Sequence, residues 1–210
     1  MNIEKKVKCV CNSRNNIELE RRYDQWAKKY DTDLEEGFGW LGPQRAVEFF
    51  TRYVPVEARI LDAGAGTGLV GKLLAEQNYK YIVAMDLSSG MLKEARKKKA
   101  YRAFYRMVMG EPLDFPTNSF DAVISIGVLT VGHAPASSLD ELLRITKPGG
   151  HIVFSLRPDV YRDNGFKQKQ DGLESEGKWK LIEVSEELQP LPNGQPKVNH
   201  QVWVYQVAST

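Results

Sequence analysis

A cluster of glycines set directly against a short apolar run constrains this chain more than any other feature. Arg59-Ile60-Leu61-Asp62 runs into Gly64-Ala65-Gly66-Thr67-Gly68, and Leu69, Leu73 and Leu74 then recur at helical spacing. Strand, glycine turn and helix in that order open a βαβ unit, which needs parallel neighbours. The chain supplies them. Apolar runs cover Tyr81 to Met85, ending on Asp86, then Phe104 to Met109, Phe120 to Leu129 and His151 to Leu156. Ser88 and Ser89 are N-cap residues for a helix reaching about Tyr101. Another helix spans about Ser138 to Lys147, where Pro148-Gly149-Gly150 stops it. The run from Phe120 is almost wholly apolar, as a strand buried on both faces requires.

The C-terminal part changes character. Trp179 to Val184 and His200 to Val207 alternate, separated by Pro190, Pro192, Asn193, Gly194 and Pro196, which predicts an antiparallel pair closing the sheet. Ahead of the first strand, Ile17 to Tyr30 and Pro43 to Tyr53 carry helical periodicity. The expected architecture is α/β: a Rossmann-like seven-stranded sheet, mostly parallel with an antiparallel C-terminal strand, helices on both faces and a helical N-terminal cap. Residues 1–16 are expected as a flexible tail, 17–55 as the cap and 56–210 as the core, one domain with the cap.

Composition narrows the class of function. At 210 residues, 42% hydrophobic and 27% charged, the chain can bury a sizeable core, and a net charge of +2 demands neither nucleic acid nor an anionic membrane. No apolar run approaches the roughly 20 residues of a membrane span, and the N-terminus lacks a signal-peptide core, so a soluble cytoplasmic protein is expected. The two cysteines, Cys9 and Cys11, lie far in sequence from the three histidines, His133, His151 and His200, so no metal site is expected. Lys97-Lys98-Lys99, with Arg96 and Arg102, reads as a solvated helix face more readily than as a nucleic-acid footprint.

In an open parallel sheet, ligands bind beyond the carboxyl ends of the strands, where the strand order reverses. The glycine cluster falls there; it permits a tight turn, close approach of a ligand and exposed amides at the next helix. Asp86, 22 residues after Gly64, can accept two hydrogen bonds from a ribose diol, which fits NAD or S-adenosylmethionine. A dinucleotide fingerprint starting at Gly64 would need glycine at position 69, where Leu69 stands. The register starting at Gly66 does find Gly71 but leaves Asp62-Ala63-Gly64 unexplained. A Walker A loop is excluded, since no Gly-Lys-Ser/Thr follows. An acid at Asp62 would repel a pyrophosphate yet suits a ligand carrying an ammonium and a sulfonium. The electrostatics favour S-adenosylmethionine.

The string Ile60 to Gly68 resembles motif I of the class I S-adenosylmethionine-dependent methyltransferases. Further agreement runs through Met85-Asp86-Leu87-Ser88-Ser89-Gly90-Met91-Leu92, Phe120-Asp121-Ala122-Val123 and Lys147-Pro148-Gly149-Gly150. Within that family, Tyr23-Asp24-Gln25-Trp26-Ala27, Gly110-Glu111-Pro112-Leu113 and Arg144-Ile145-Thr146-Lys147 resemble the methyltransferase-like group of the Williams–Beuren syndrome region. The resemblance implies that Gly64, Ala65 and Gly66 lie against the methionine part of the cofactor, with Asp62 near its amino group. It implies Asp86 on the ribose hydroxyls, Leu87 and Met91 on the adenine, Gly110 and Glu111 at the adenine edge, and Ser125 and Ile126 beneath the methionine chain. Many relatives carry an acid where Gly110 stands, so that role is either vacant or moved to Glu111.

Methyl transfer is an in-line displacement at an already activated carbon, yielding S-adenosylhomocysteine, and mainly requires alignment and exclusion of water. His133, after the fourth apolar run, is the candidate general base if the acceptor carries a proton. The chain lacks an Asn/Asp-Pro-Pro-Tyr/Phe motif, having Ser125-Ile126-Gly127-Val128-Leu129 in its place, which disfavours adenine and glutamine amides as acceptors. Tyr23, Trp26 and Tyr30 share one helical face. Such a face either packs on the core or forms a lid over the cofactor, and we extend cofactor contact to Tyr23 and Tyr30. A lid favours a small-molecule acceptor. Two rivals stay open: an NAD(P)-dependent oxidoreductase, and an S-adenosylmethionine-binding protein without turnover.

Overall fold

A computed structural model describes residues 3–193 and 198–209. The glycine turn forms where the sequence places it. Strand β1 (Arg59–Ala63) ends on Gly64, Gly66 and Gly68, all at positive φ (81°, 54° and 87°), before helix α4 (Leu69–Glu76). Side chains other than glycine rarely adopt that left-handed backbone. Three helices precede β1: α1 (Ile3–Cys11), α2 (Asn16–Thr32) and α3 (Gly42–Phe50), with a π-helical segment at Asp33–Phe38 that Gly39 ends at φ 62°.

After α4 come β2 (Tyr81–Asp86), α5 (Ser89–Lys97), β3 (Ala103–Arg106), β4 (Phe120–Ser125), α6 (Ser138–Ile145) and β5 (Thr146–Leu156). The chain closes with α7 (Pro158–Asp163), α8 (Phe166–Ser175), β6 (Trp179–Val184) and β7 (Gln201–Val207). The seven strands form one sheet in the order β3-β2-β1-β4-β5-β7-β6. The first five pair in parallel, and β7 runs antiparallel between β5 and β6. The strand order reverses between β1 and β4, which opens a crevice at their carboxyl ends.

Strand alternation sends buried side chains to both faces. Leu61, Met85, Val123 and Phe154 pack with Leu142 of α6 and Leu173 of α8, while Ile60, Ile82 and Ile124 pack with Phe50 of α3 and Leu74 of α4. A third cluster lies in the cap, where Val10, Leu19, Trp26, Leu34 and Phe38 bury one another. Among the described residues, no helix is long and apolar enough to cross a membrane.

Several boundaries differ from the sequence reading, each for a local reason. Residues 3–11, expected as a loose tail, form α1, whose Val10 is buried and whose Ile3 and Val7 pack on the cap cluster. Helix α5 stops at Lys97 because Lys99 turns into the left-handed region (φ 55°), which swings Tyr101 into the core. Strand β4 ends at Ser125, since Gly127 takes φ 73° and its N–H is held by Ser155 Oγ at 2.9 Å. Strand β3 ends at Arg106, and the residues beyond it turn toward the crevice. Helices α7 and α8 were not anticipated; on α8 the buried positions are Phe166, Gln170 and Leu173, too few and too polar to announce a helix. Of the turn residues between the last two strands, Gly194 and Pro196 lie outside the described residues.

Candidate functional site

The crevice is a cavity of about 800 Å³, its open mouth included. Its floor is the Gly64–Thr67 turn, one wall is Asp86, Leu87 and Met91, and the aromatic face of the cap, with Tyr23, Tyr30 and Trp40, roofs it. Size and mixed lining suit a cofactor-sized ligand. A Cβ on Gly64 would fall 2.2 Å from a Val128 methyl, so glycine is required there by packing. A Cβ on Gly66 would meet nothing within 4 Å; glycine there keeps the backbone open toward the cavity.

Asp86 organises the turn. Its Oδ2 accepts from Gly66 N at 2.8 Å and its Oδ1 from Ser88 N at 2.8 Å. Burial nevertheless outweighs these bonds and pushes its pKa up to about 6. A carboxylate has about four acceptor positions, so two remain for a diol. Asp62 is deeper. Tyr101 OH donates to its Oδ2 at 2.7 Å, its Oδ1 has no hydrogen-bond partner among the described residues, and burial raises its pKa to about 7. An orphaned buried carboxylate oxygen beneath the turn is what an approaching cation would relieve.

The cap is latched over this site by polar contacts on one side of α2. Glu20 pairs with Arg106 at 2.6 Å. Asp24 accepts from Ser88 Oγ at 2.6 Å and from Gly90 N at 2.7 Å at the start of α5. Asp31 takes the Thr67 hydroxyl and Lys98 Nζ, and that ammonium also donates to Thr67 O at 2.7 Å. A Cβ on Gly90 would lie 2.8 Å from Asp24 Cα, so the two elements touch backbone to backbone. On the roof's inner side, Tyr23 OH and His133 Nε2 are 2.7 Å apart, with His133 Nδ1 facing Val131 O at 3.3 Å. Burial lowers the pKa of His133 and raises that of Tyr23, so at neutral pH both are uncharged.

Of the residues singled out from sequence, Tyr23, Tyr30, Gly64, Ala65, Gly66, Asp86, Leu87, Met91, Ile126 and His133 line this one cavity. Four lie outside the lining. Asp62 sits beneath it, and Ser125 is buried with its hydroxyl donated to Ala63 O at 2.8 Å, tying β4 to β1. Gly110 packs under Pro135, and Glu111 accepts from Asn16 Nδ2 at 3.3 Å. Val108 and Met109 line the cavity at the end of β3, where Gly110 and Glu111 were expected, and Asn16 joins them from the cap. Only the apolar character of the run ending at Met109 hinted at that wall. Trp40 also lines the cavity, outside the helical face of Tyr23, Trp26 and Tyr30 that the periodicity marks.

Residues 61–154 match the model of a methyltransferase domain family. A human methyltransferase-like protein 27 is 34% identical over 164 residues, which make up 75% of this chain and 66% of that protein. The chain belongs to the class I S-adenosylmethionine-dependent methyltransferases. The family's cofactor is S-adenosylmethionine. A demethylmenaquinone methyltransferase of Clavibacter sepedonicus is 45% identical over 98 residues, 45% of this chain and 39% of that enzyme. The chain thus spans between 39% and 66% of the length of these two curated relatives. In fold it is similar to a Thermotoga maritima protein described as a possible histamine N-methyltransferase, with TM-score 0.63, 19% identity, and coverage of 88% of this chain and 97% of that one. The cyclase SpnF matches comparably, with TM-score 0.62, 16% identity, and 80% and 81% coverage. A fold shared with a cyclase leaves the reaction to be argued from the site.

Proposed function

We propose that this chain binds S-adenosylmethionine in the roofed cavity and moves its methyl group to a small-molecule acceptor by in-line displacement. The observation that carries the reading is the single enclosure formed by the glycine turn, Asp86 and the latched aromatic cap. In this reading Asp86 holds the ribose diol, and Leu87, Met91, Val108 and Met109 hold the adenine. Gly64 to Gly66 run along the methionine part, and the free Asp62 oxygen answers its ammonium from below. When bound, the cofactor supplies a methyl carbon activated by a sulfonium.

The residues themselves align and dry the site. Tyr23, Tyr30 and Trp40 roof it, and exclusion of water strengthens the attraction between Asp62 and a cation. With hydrogen on His133 Nδ1 toward Val131 O, Nε2 accepts the Tyr23 hydroxyl. His133 is therefore a positioning residue for Tyr23 in this reading. Alignment, not proton removal by His133, is the main contribution of the chain. An enclosed site supports a small acceptor over a polymer, and relatives named as demethylmenaquinone methyltransferases are compatible with that. Isothermal titration tests the reading: S-adenosylmethionine and S-adenosylhomocysteine should bind and NAD should not. NAD binding in place of both would overturn it.

A further inference from the structure

A second chamber of about 590 Å³, mouth included, lies on the other side of Trp40. It shares Trp40, Ile126 and Gly127 with the roofed cavity, so the two spaces adjoin across these residues at the carboxyl end of β4. The indole lies over that turn, and a Cβ on Gly127 would sit 3.7 Å from Trp40 Cζ2. Its far wall is apolar, from Leu188 and Val202, and its polar side chains are Ser155, Gln189, His200 and, at the rim, Arg45.

The neutral polar groups each have a hydrogen to donate. Ser155 is buried and its Oγ already accepts from Gly127 N, which leaves its hydroxyl hydrogen to give. His200 is pinned by reciprocal backbone bonds with Leu188, each 2.8 Å, yet its imidazole makes no hydrogen bond to any described residue. Burial, with the nearby Arg157 guanidinium adding to it and Asp159 opposing, pushes the imidazole's pKa down to about 4. At neutral pH the ring is therefore uncharged and a weak base, with one N–H to donate. Among the described residues, no carboxylate lines the chamber. Two cations, Arg45 at the rim and Arg157 near His200, are each paired with an acid of their own, Glu48 and Asp159.

We propose that this chamber holds the methyl acceptor, and that the acceptor is a flat, largely apolar molecule carrying an oxyanion, a carboxylate or an acidic phenolate. The proposal rests on the reading of the neighbouring cavity as the donor site. A protonated amine would find two cations close by and, among the described residues, no carboxylate to neutralise it. An oxyanion would meet the Ser155 hydroxyl and the His200 N–H, and because it arrives ionised it needs no strong base. In the transfer the oxygen forms a bond to the methyl carbon, and the carbon–sulfur bond breaks with its electron pair left on sulfur. No proton moves.

The test uses the full chain saturated with S-adenosylhomocysteine, titrated with 2-naphthoate and with 1-naphthylmethylamine of similar shape. The naphthoate should bind and the ammonium should not. His200→Leu, which removes the ring donor without stranding a partner, and Leu188→Trp, which fills the chamber, should each weaken naphthoate about tenfold or more. Both should leave S-adenosylhomocysteine affinity within about twofold, as groups outside the donor cavity should. Naphthoate binding that both variants leave unchanged, no naphthoate binding at all, or equal binding of the amine would overturn the proposal. Failure of the wild-type chain to bind S-adenosylhomocysteine would overturn the donor reading first, and this one with it.

Discussion

Asp86→Ala separates stability from binding, because the structure gives its two contributions opposite signs. Removing the side chain strands Gly66 N and Ser88 N, at about 1–3 kcal/mol for each buried donor left unpaired. Against that, the buried carboxylate is held in its charged form at pH 7 although its pKa has risen from 3.8 to about 6. That shift corresponds to about 3 kcal/mol that the folded state recovers when the charge is deleted. The two effects nearly cancel. The net cost should stay below about 3 kcal/mol, a drop in Tm of no more than about 10 °C for a chain of this size.

Donor binding has no such compensation. Each hydrogen bond from the diol to a charged acceptor contributes on the order of 1.5–3 kcal/mol, so the loss of even one should lower affinity for S-adenosylhomocysteine by roughly 10- to 150-fold. Circular dichroism melts and isothermal titration on the same preparation read both quantities. A folded variant that binds S-adenosylhomocysteine as tightly as the parent would remove Asp86 from the ribose and the placement of the cofactor with it.

Three further outcomes follow from the same geometry. Asp62→Asn should become progressively more stable relative to the parent as pH rises from about 4 to about 7. The parent's raised pKa means that its folded state binds the extra proton across that window and loses stability as the proton leaves; the gap in thermal melts should reach on the order of 4 kcal/mol, and a pH-independent gap would contradict the burial of that charge. Asp24→Ala should loosen α2, so that amide exchange over residues 17–42 quickens in the free protein and slows again when S-adenosylhomocysteine is added; exchange identical to the parent's in both states would reduce the latch to a passive contact. His133→Ala should leave donor affinity within a few-fold and retain measurable transfer once an acceptor is known, whereas a roughly thousandfold loss in kcat alone would make it the base.

What the sequence disclosed and what it withheld divide along a physical line. The strands β1, β2, β4 and β5 and the glycine turn were legible because each is specified by residues adjacent in the chain: apolar runs, glycines forced to positive φ, an acid ending a strand. The wall at Val108 and Met109 was missed because it depends on where the chain turns after β3, which Gly110 at φ 95° and its packing on Pro135 decide. Ser125 was placed beneath the methionine chain by the family resemblance, and no sequence signal showed that its hydroxyl also ties β4 to β1. The pairing of Tyr23 with His133 joins residues 110 apart, and no periodicity reports a contact of that kind. His200 carried no signal whatever, since a histidine opening an edge-side strand looks the same whether it faces solvent or a chamber.

Gly71 shows how a local pattern can suggest the wrong ligand for a sound reason. The register Gly66, Gly68, Gly71 imitates part of a dinucleotide fingerprint, and it was the support in the sequence for a nicotinamide cofactor. In the structure a Cβ on Gly71 would lie 2.1 Å from the Tyr101 ring, and Gly71 N donates to the Tyr101 hydroxyl at 3.1 Å. That hydroxyl in turn donates to Asp62. The glycine is therefore the footing of a strut, Gly71 to Tyr101 to Asp62, which fixes an acid under the turn. A pyrophosphate at the same turn would stand over that acid without relief, while a cation would complete the carboxylate's unpaired oxygen. The glycine that matched a dinucleotide site thus helps to build a site that disfavours one.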